Sequence, residues 1–194
     1  MSNILEDFMG SMGSQVTSQL SSQLGIDKNT AGAIIPQVLP MILGGLKKQK
    51  DNHGGEERVD HILNKYGSSS VLDNIGDLFS QKAQDPNPDP ALGGLLGDAG
   101  VQASNLFGKQ FNLDSGTAAK IIPMLAPLVL GFLSKKRDSG EGVSGIASLL
   151  DQDGDGSVLD DVAGFLMNGL GGQSKSNTGD LLGGLLGGLF GGKK

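Results

Sequence analysis

Ile34-Ile35-Pro36-Gln37-Val38-Leu39-Pro40-Met41-Ile42-Leu43-Gly44-Gly45-Leu46 returns 87 residues later as Ile121-Ile122-Pro123-Met124-Leu125-Ala126-Pro127-Leu128-Val129-Leu130-Gly131-Phe132-Leu133. Each stretch is apolar almost all round, which marks a helix buried inside a core. Each is shorter than the ~20 apolar residues that a membrane span needs. The paired prolines sit one helical turn apart. Each removes a backbone donor and crowds the carbonyl four residues earlier, so a kink or break is expected.

The likeness spreads outward from this block. Residues 5–79 lie on 92–166 without a gap, with 24 of 75 positions identical. Asp27 and Asp114 precede the two apolar blocks and read as helix N-caps. Such a register over this length indicates two copies of one unit. The expected fold class is all-α: two tandem homologous multihelical units of about four helices each, plus a Gly/Leu-rich flexible tail. In copy one, Ile4, Leu5, Phe8, Met9, Met12, Val16, Leu20 and Leu24 form a stripe of i, i+4 spacing, predicting an amphipathic helix over 4–24. Third helices follow at about 56–65 and 143–150, and fourth helices at about 71–82 and 158–169. Lys47, Lys48 and Lys50, like Lys135, Lys136 and Arg137, are expected at a helix C-terminus, where cations suit the dipole.

The expected division is unit 1 at 1–80, a Pro-rich linker at 81–91, unit 2 at 92–168 and the tail at 169–194. The linker's three alternating prolines, Pro86, Pro88 and Pro90, predict a semi-extended spacer. In the tail, Leu182 to Gly187 repeats Leu92 to Gly97. Its many glycines disfavour a helix by ~1 kcal/mol each relative to Ala, so it reads as flexible.

Composition excludes several chemistries. The chain has 33 Gly, no Cys and a formal charge of −6. Disulfides, thiolate metal sites and cysteine nucleophiles are ruled out. The acidic balance argues against nucleic-acid binding. His53 and His61 lie in no metal-ligand spacing, and no G-x-S-x-G elbow occurs. The N-terminal residues carry early acids and no basic region, so the expected location is cytoplasmic.

One loop carries chemistry of its own: Asp151-Gln152-Asp153-Gly154-Asp155-Gly156-Ser157-Val158-Leu159-Asp160-Asp161. Asp151, Asp153 and Asp155 fill positions 1, 3 and 5 of an EF-hand loop, and Gly156 falls at position 6, where the turn is sharpest. Ser157 at position 7 would offer its backbone carbonyl. Position 12 is Val162, so Asp161 is the expected closing ligand. Copy one reads Asn64-Lys65-Tyr66-Gly67-Ser68-Ser69-Ser70-Val71-Leu72-Asp73-Asn74 at the same positions. The shared Ser-x-x-Asp, Ser70 to Asp73 and Ser157 to Asp160, reads as a helix-start capping box. The metal reading therefore rests on Asp151, Asp153, Asp155 and Asp161, which copy one lacks. The D-x-D-x-D-G core resembles the variant calcium loops of the dockerin and wider EF-hand-like group.

The block Ile34 to Leu46, and Ile121 to Leu133, resembles the "L-P-x-L-L-G-G-L" helix of the bacterial YidB-like domain-of-unknown-function family. That family is also similar in its Gly/Leu-rich ends and an acidic D-x-D-G-D-G-S-x-x-D-D segment. The resemblance implies an all-α fold and supplies no catalytic residues. Two readings of function stand. One is a non-enzymatic helical protein binding one Ca²⁺, with a structural or protein-binding role. The other is a membrane-surface or self-associating protein, including a homo-oligomer, acting through the tail. A hydrolase using the metal is disfavoured for want of a base or nucleophile.

Overall fold

A computed structural model describes residues 4–142. They fall within one compact unit. The acidic loop 151–161, the third and fourth helices of copy two and the tail lie outside the described residues. Among the described residues the fold is all-α, with no strand.

The first helical stretch comprises α1 (Ile4–Phe8), a π-turn (Met9–Gly13) and α2 (Ser14–Leu24). The π-turn has a physical reason. A stripe spaced every four residues drifts around a helix of 3.6 residues per turn. One turn of i→i+5 bonding takes up the drift. Ile4, Phe8, Val16 and Leu20 thereby stay buried.

The long helix α3 (Lys28–His53) follows. Asp27 caps it, accepting from the backbone N–H groups of Asn29 and Thr30 at 3.0 Å each. Helix α7 (Ser115–Lys136) is its duplicate, and Asp114 accepts from Thr117 N–H at 2.9 Å in the same way. Both helices continue unbroken through their prolines. Prolines four apart lie on one face, so the lost hydrogen bonds fall on one stripe while the rest of the ladder holds. Helix α3 also runs two turns past the apolar block. Lys47 is thus not at its C-terminus but buried within it, 2.9 Å from Asp51.

Helices α4 (Gly55–Tyr66), α5 (Ile75–Ala83) and α6 (Asp98–Gln110) complete the set. Helix α7 lies among them, packed against α6, α5, α4, α3 and a 3₁₀ turn at Ser69–Leu72. Every residue from Ile121 to Ser134 is buried except Pro127. Residues of both copies belong to one continuous apolar core. Phe8 of α1 meets Phe132 of α7 edge-on at 5.4 Å. Polar pins close the rim: Lys136 to Asp7 at 2.7 Å, and Arg137 to Asp60 at 2.7 Å.

Two helical spans, Lys28–His53 and Ser115–Gly140, are long and apolar enough to cross a membrane by length and composition. Counting only unbroken apolar runs overlooks them, because Gln37 and Lys47 interrupt the first span and Lys120 and Ser134 the second. In the second, 72% of the apolar window is buried inside the protein, as expected of a core helix.

The caps give a pH signature. The Thr117 hydroxyl, then its N–H, hold the Asp114 carboxyl below its ordinary range, and Thr30 does the same for Asp27. A depressed folded-state pKa stabilises the fold above the unfolded value, and that stability is lost as pH falls through the folded one. Asp114→Ala will therefore lower the urea midpoint at neutral pH, and the deficit will shrink below about pH 4, where unfolded aspartate also protonates. Circular dichroism at the two pH values checks this; an equal deficit at both would contradict the capping role.

Candidate functional site

The segment from Ala83 to Asp98 decides the surface of this unit. It is not a bare spacer but a strap of hydrogen-bonded turns. Lys120 of α7 donates to the Ala83 carbonyl at 2.5 Å. Asp85 accepts from Asn87 N–H at 3.0 Å. Asp89 accepts from Ala91 N–H at 2.9 Å and Gly93 N–H at 2.7 Å. These Asx turns need residues that tolerate left-handed backbone. Gly93 and Gly94 supply it at φ +60° and +94°, and Leu92 adopts φ +51° beside them. The strap then closes on α3. A Cβ on Gly45 would stand 2.7 Å from Leu96 Cδ2 and 2.9 Å from the Leu95 carbonyl. Only glycine admits that approach.

Between the strap, α4 and α7 lies a groove of about 760 Å³. Pro123, Ala126, Pro127 and Leu130 of α7 form its apolar floor, with Ile62 of α4. Pro123 and Pro127 also deprive the Ala119 and Pro123 carbonyls of their helical donors. His53, Arg58, Lys82, Asp85 and Asp89 line it too, so charges of both signs meet an apolar floor. Arg58 Nε donates to Gln49 Oε1 at 3.0 Å, which ties that side chain down. Its lining suits an apolar chain or ring with polar ends, in the range of size typical of ligand clefts. It joins no nucleophile to a base.

The five residues expected to ligate calcium, Asp151, Asp153, Asp155, Ser157 and Asp161, lie outside the described residues. Among the described residues, no three His, Cys, Asp or Glu side chains converge as a metal site would require. Their copy-one counterparts are in place. Helix α4 ends at Tyr66, Gly67 follows, and Ser68 is extended at φ −64°, ψ 124°. The Oγ atoms of Ser68 and Ser70 meet at 2.7 Å. The 3₁₀ turn Ser69–Leu72 then precedes α5, which starts at Ile75 without a side-chain cap. Ser70 and Asp73 therefore form no capping box. Ser70 pairs with Ser68 instead, because seating Val71 against Gly131 of α7 requires a tight turn there.

Sequence reasoning missed the strap and the groove. The Leu92 to Gly97 motif was a usable signal, since adjacent glycines between leucines mark left-handed turns with apolar anchors.

The family described as "Bacterial protein of unknown function (DUF937)" matches residues 6–136 and again 135–194. The chain belongs to this family. The first DUF937 match runs through both described copies and the strap between them. The second starts at the end of α7, and the double match agrees with a tandem arrangement. No curated protein and no solved structure matched the chain.

Gly45→Val tests the strap. Its branches meet Leu95 and Leu96 directly, and overpacking of this kind costs about 1–3 kcal/mol. Denaturant unfolding will show that loss, and hydrogen exchange at 92–97 will quicken. Unchanged exchange there would mean that the strap does not rest on α3.

Proposed function

We propose that this DUF937 protein is a non-enzymatic helical binding scaffold whose second copy takes one Ca²⁺ in the loop 151–161. Asp151, Asp153, Asp155 and Asp161 supply carboxylate oxygens in this reading, and Ser157 its backbone carbonyl. The observation that supports it is the shape of the same loop in copy one. There a helix ends, a short turn follows and a second helix begins, which is the frame of an EF-hand. Within it the oxygens of Ser68 and Ser70, the sequence counterparts of Asp155 and Ser157, face one another at 2.7 Å. Replacing the neutral side chains Asn64, Tyr66, Ser68 and Asn74 by four carboxylates creates a repulsion that a divalent cation relieves. The EF-hand kinship and the YidB-like name belong to this reading.

The non-enzymatic part rests on residue chemistry: no Cys, and two His outside nucleophile or metal spacing. The groove over α7 is the surface on which such a scaffold would receive a protein or small apolar partner.

Calorimetric titration of the full chain checks the metal. Uptake of one Ca²⁺ per chain is expected, with affinity of ~10⁻⁴–10⁻³ M, as in extracellular modules, because the bidentate Glu is missing. Asp153→Ala will abolish uptake and Asp73→Ala will not. No heat at millimolar ion removes the calcium reading.

A further inference from the structure

The groove over α7 holds charges of both signs, but their bonding differs. Asp89 accepts with both carboxylate oxygens from the strap itself, from Ala91 N–H at 2.9 Å and Gly93 N–H at 2.7 Å. Asp85 accepts from Asn87 N–H at 3.0 Å. These anions hold the turns together. The cations come from the helices, Arg58 from α4 and Lys82 from α5. Among the described residues neither of them makes an ion pair. Both are half-buried, and a partly desolvated charge gains from an opposite charge beside it.

Arg58 is also oriented. Its Nε donates at 3.0 Å to Oε1 of Gln49, a buried residue. Both Nη groups then remain for a ligand, and a guanidinium edge takes a carboxylate through parallel hydrogen bonds. The floor is apolar: Pro123, Ala126, Pro127 and Leu130. An acyl chain brings to such a floor no polar group that would need a partner.

The strap side carries a further mark. Leu92 lines the groove and adopts φ +51°. The other non-glycine residue at positive φ among the described residues is Asn112, a type that tolerates it. Leucine is not such a type, and backbone strain of this kind gathers at ligand clamps.

We infer that the groove takes a monocarboxylate of the fatty-acid type. Arg58 and Lys82 meet the carboxylate, and the acyl chain lies along Pro123, Pro127 and Leu130. This rests on the reading of the groove as the scaffold's receiving surface and narrows the partner to a small anionic amphiphile.

Tyr66 lines the groove and is the chain's single Tyr, with no Trp present, so tyrosine emission reports occupancy without background. The full chain, in chelator, is titrated with octanoate, octan-1-ol and octylamine, followed by emission and calorimetry. Octanoate is expected to saturate one site per chain and to bind ~10-fold or more tightly than the alcohol or the amine, the scale of a charge-assisted hydrogen bond. Arg58→Gln combined with Lys82→Gln is expected to remove that preference. Lys109→Gln, on α6 and outside the groove lining, is expected to keep it. Alcohol or amine bound as tightly as octanoate overturns the proposal and leaves the groove a purely apolar site. Full octanoate affinity in the double variant, shown folded by circular dichroism, overturns it too. If that variant fails to fold, the head-group series on the unmodified chain decides alone. Silence from all three compounds overturns the proposal and removes the groove reading with it. Chelator is present throughout, so these outcomes are distinct from failure of the calcium reading.

Discussion

From Ile121 to Ser134, helix α7 buries every residue but Pro127. From Ile121 to Leu133 every residue is apolar, and burial of such a helix must come from all directions. Each neighbour meets that demand with a different device. Helix α6 covers one side with Phe107 and Ala103. Copy one supplies most of the rest: α4, α5, α3 and the turn Ser69–Leu72. The strap is held to α7 by Lys120 and bends back over α3. A large-to-small change within such a core costs about 2–5 kcal/mol, so the packing is the main source of stability.

The duplication is therefore not two domains side by side in the described residues, since apolar side chains of both copies enter one core. Equivalent helices have unequal roles, and a few substitutions account for it. Gln37 of α3 is Met124 in α7, Gly45 is Phe132, and Lys47 is Ser134. On α7 these exchanges remove a charge or an amide, or add an apolar ring, relative to α3. Gly45 is freed to receive the strap, while Phe132 meets Phe8 edge-on. One ancestral pattern has thus been specialised into a central helix and a flanking one.

Much of this was legible. The repeat, the aspartate caps and the all-α class follow from spacing and capping chemistry that local residues determine. The length of α3 was underread, because Lys47 to His53 look like a solvated end; only the tertiary burial of Lys47 shows otherwise. The Ser70–Asp73 pair was misread because a capping box is a local signal, and here a contact far along the chain, Val71 on Gly131, prevails. The strap looked like a spacer because prolines suggest extension, while its turns depend on Asp85 and Asp89 bonding to particular N–H groups. Neither the groove nor the glycine seats could be read from one segment alone. They arise where two distant segments meet.

The central claim is that the described helices of the two copies form one cooperative core around α7. Its most direct test is the unfolding of residues 1–83 in isolation, followed by circular dichroism in urea. The account predicts a broad, non-cooperative loss of helix, because Phe8, Leu63 and Phe79 would lose the helix that covers them. A sharp transition as stable as that of the full chain would contradict it.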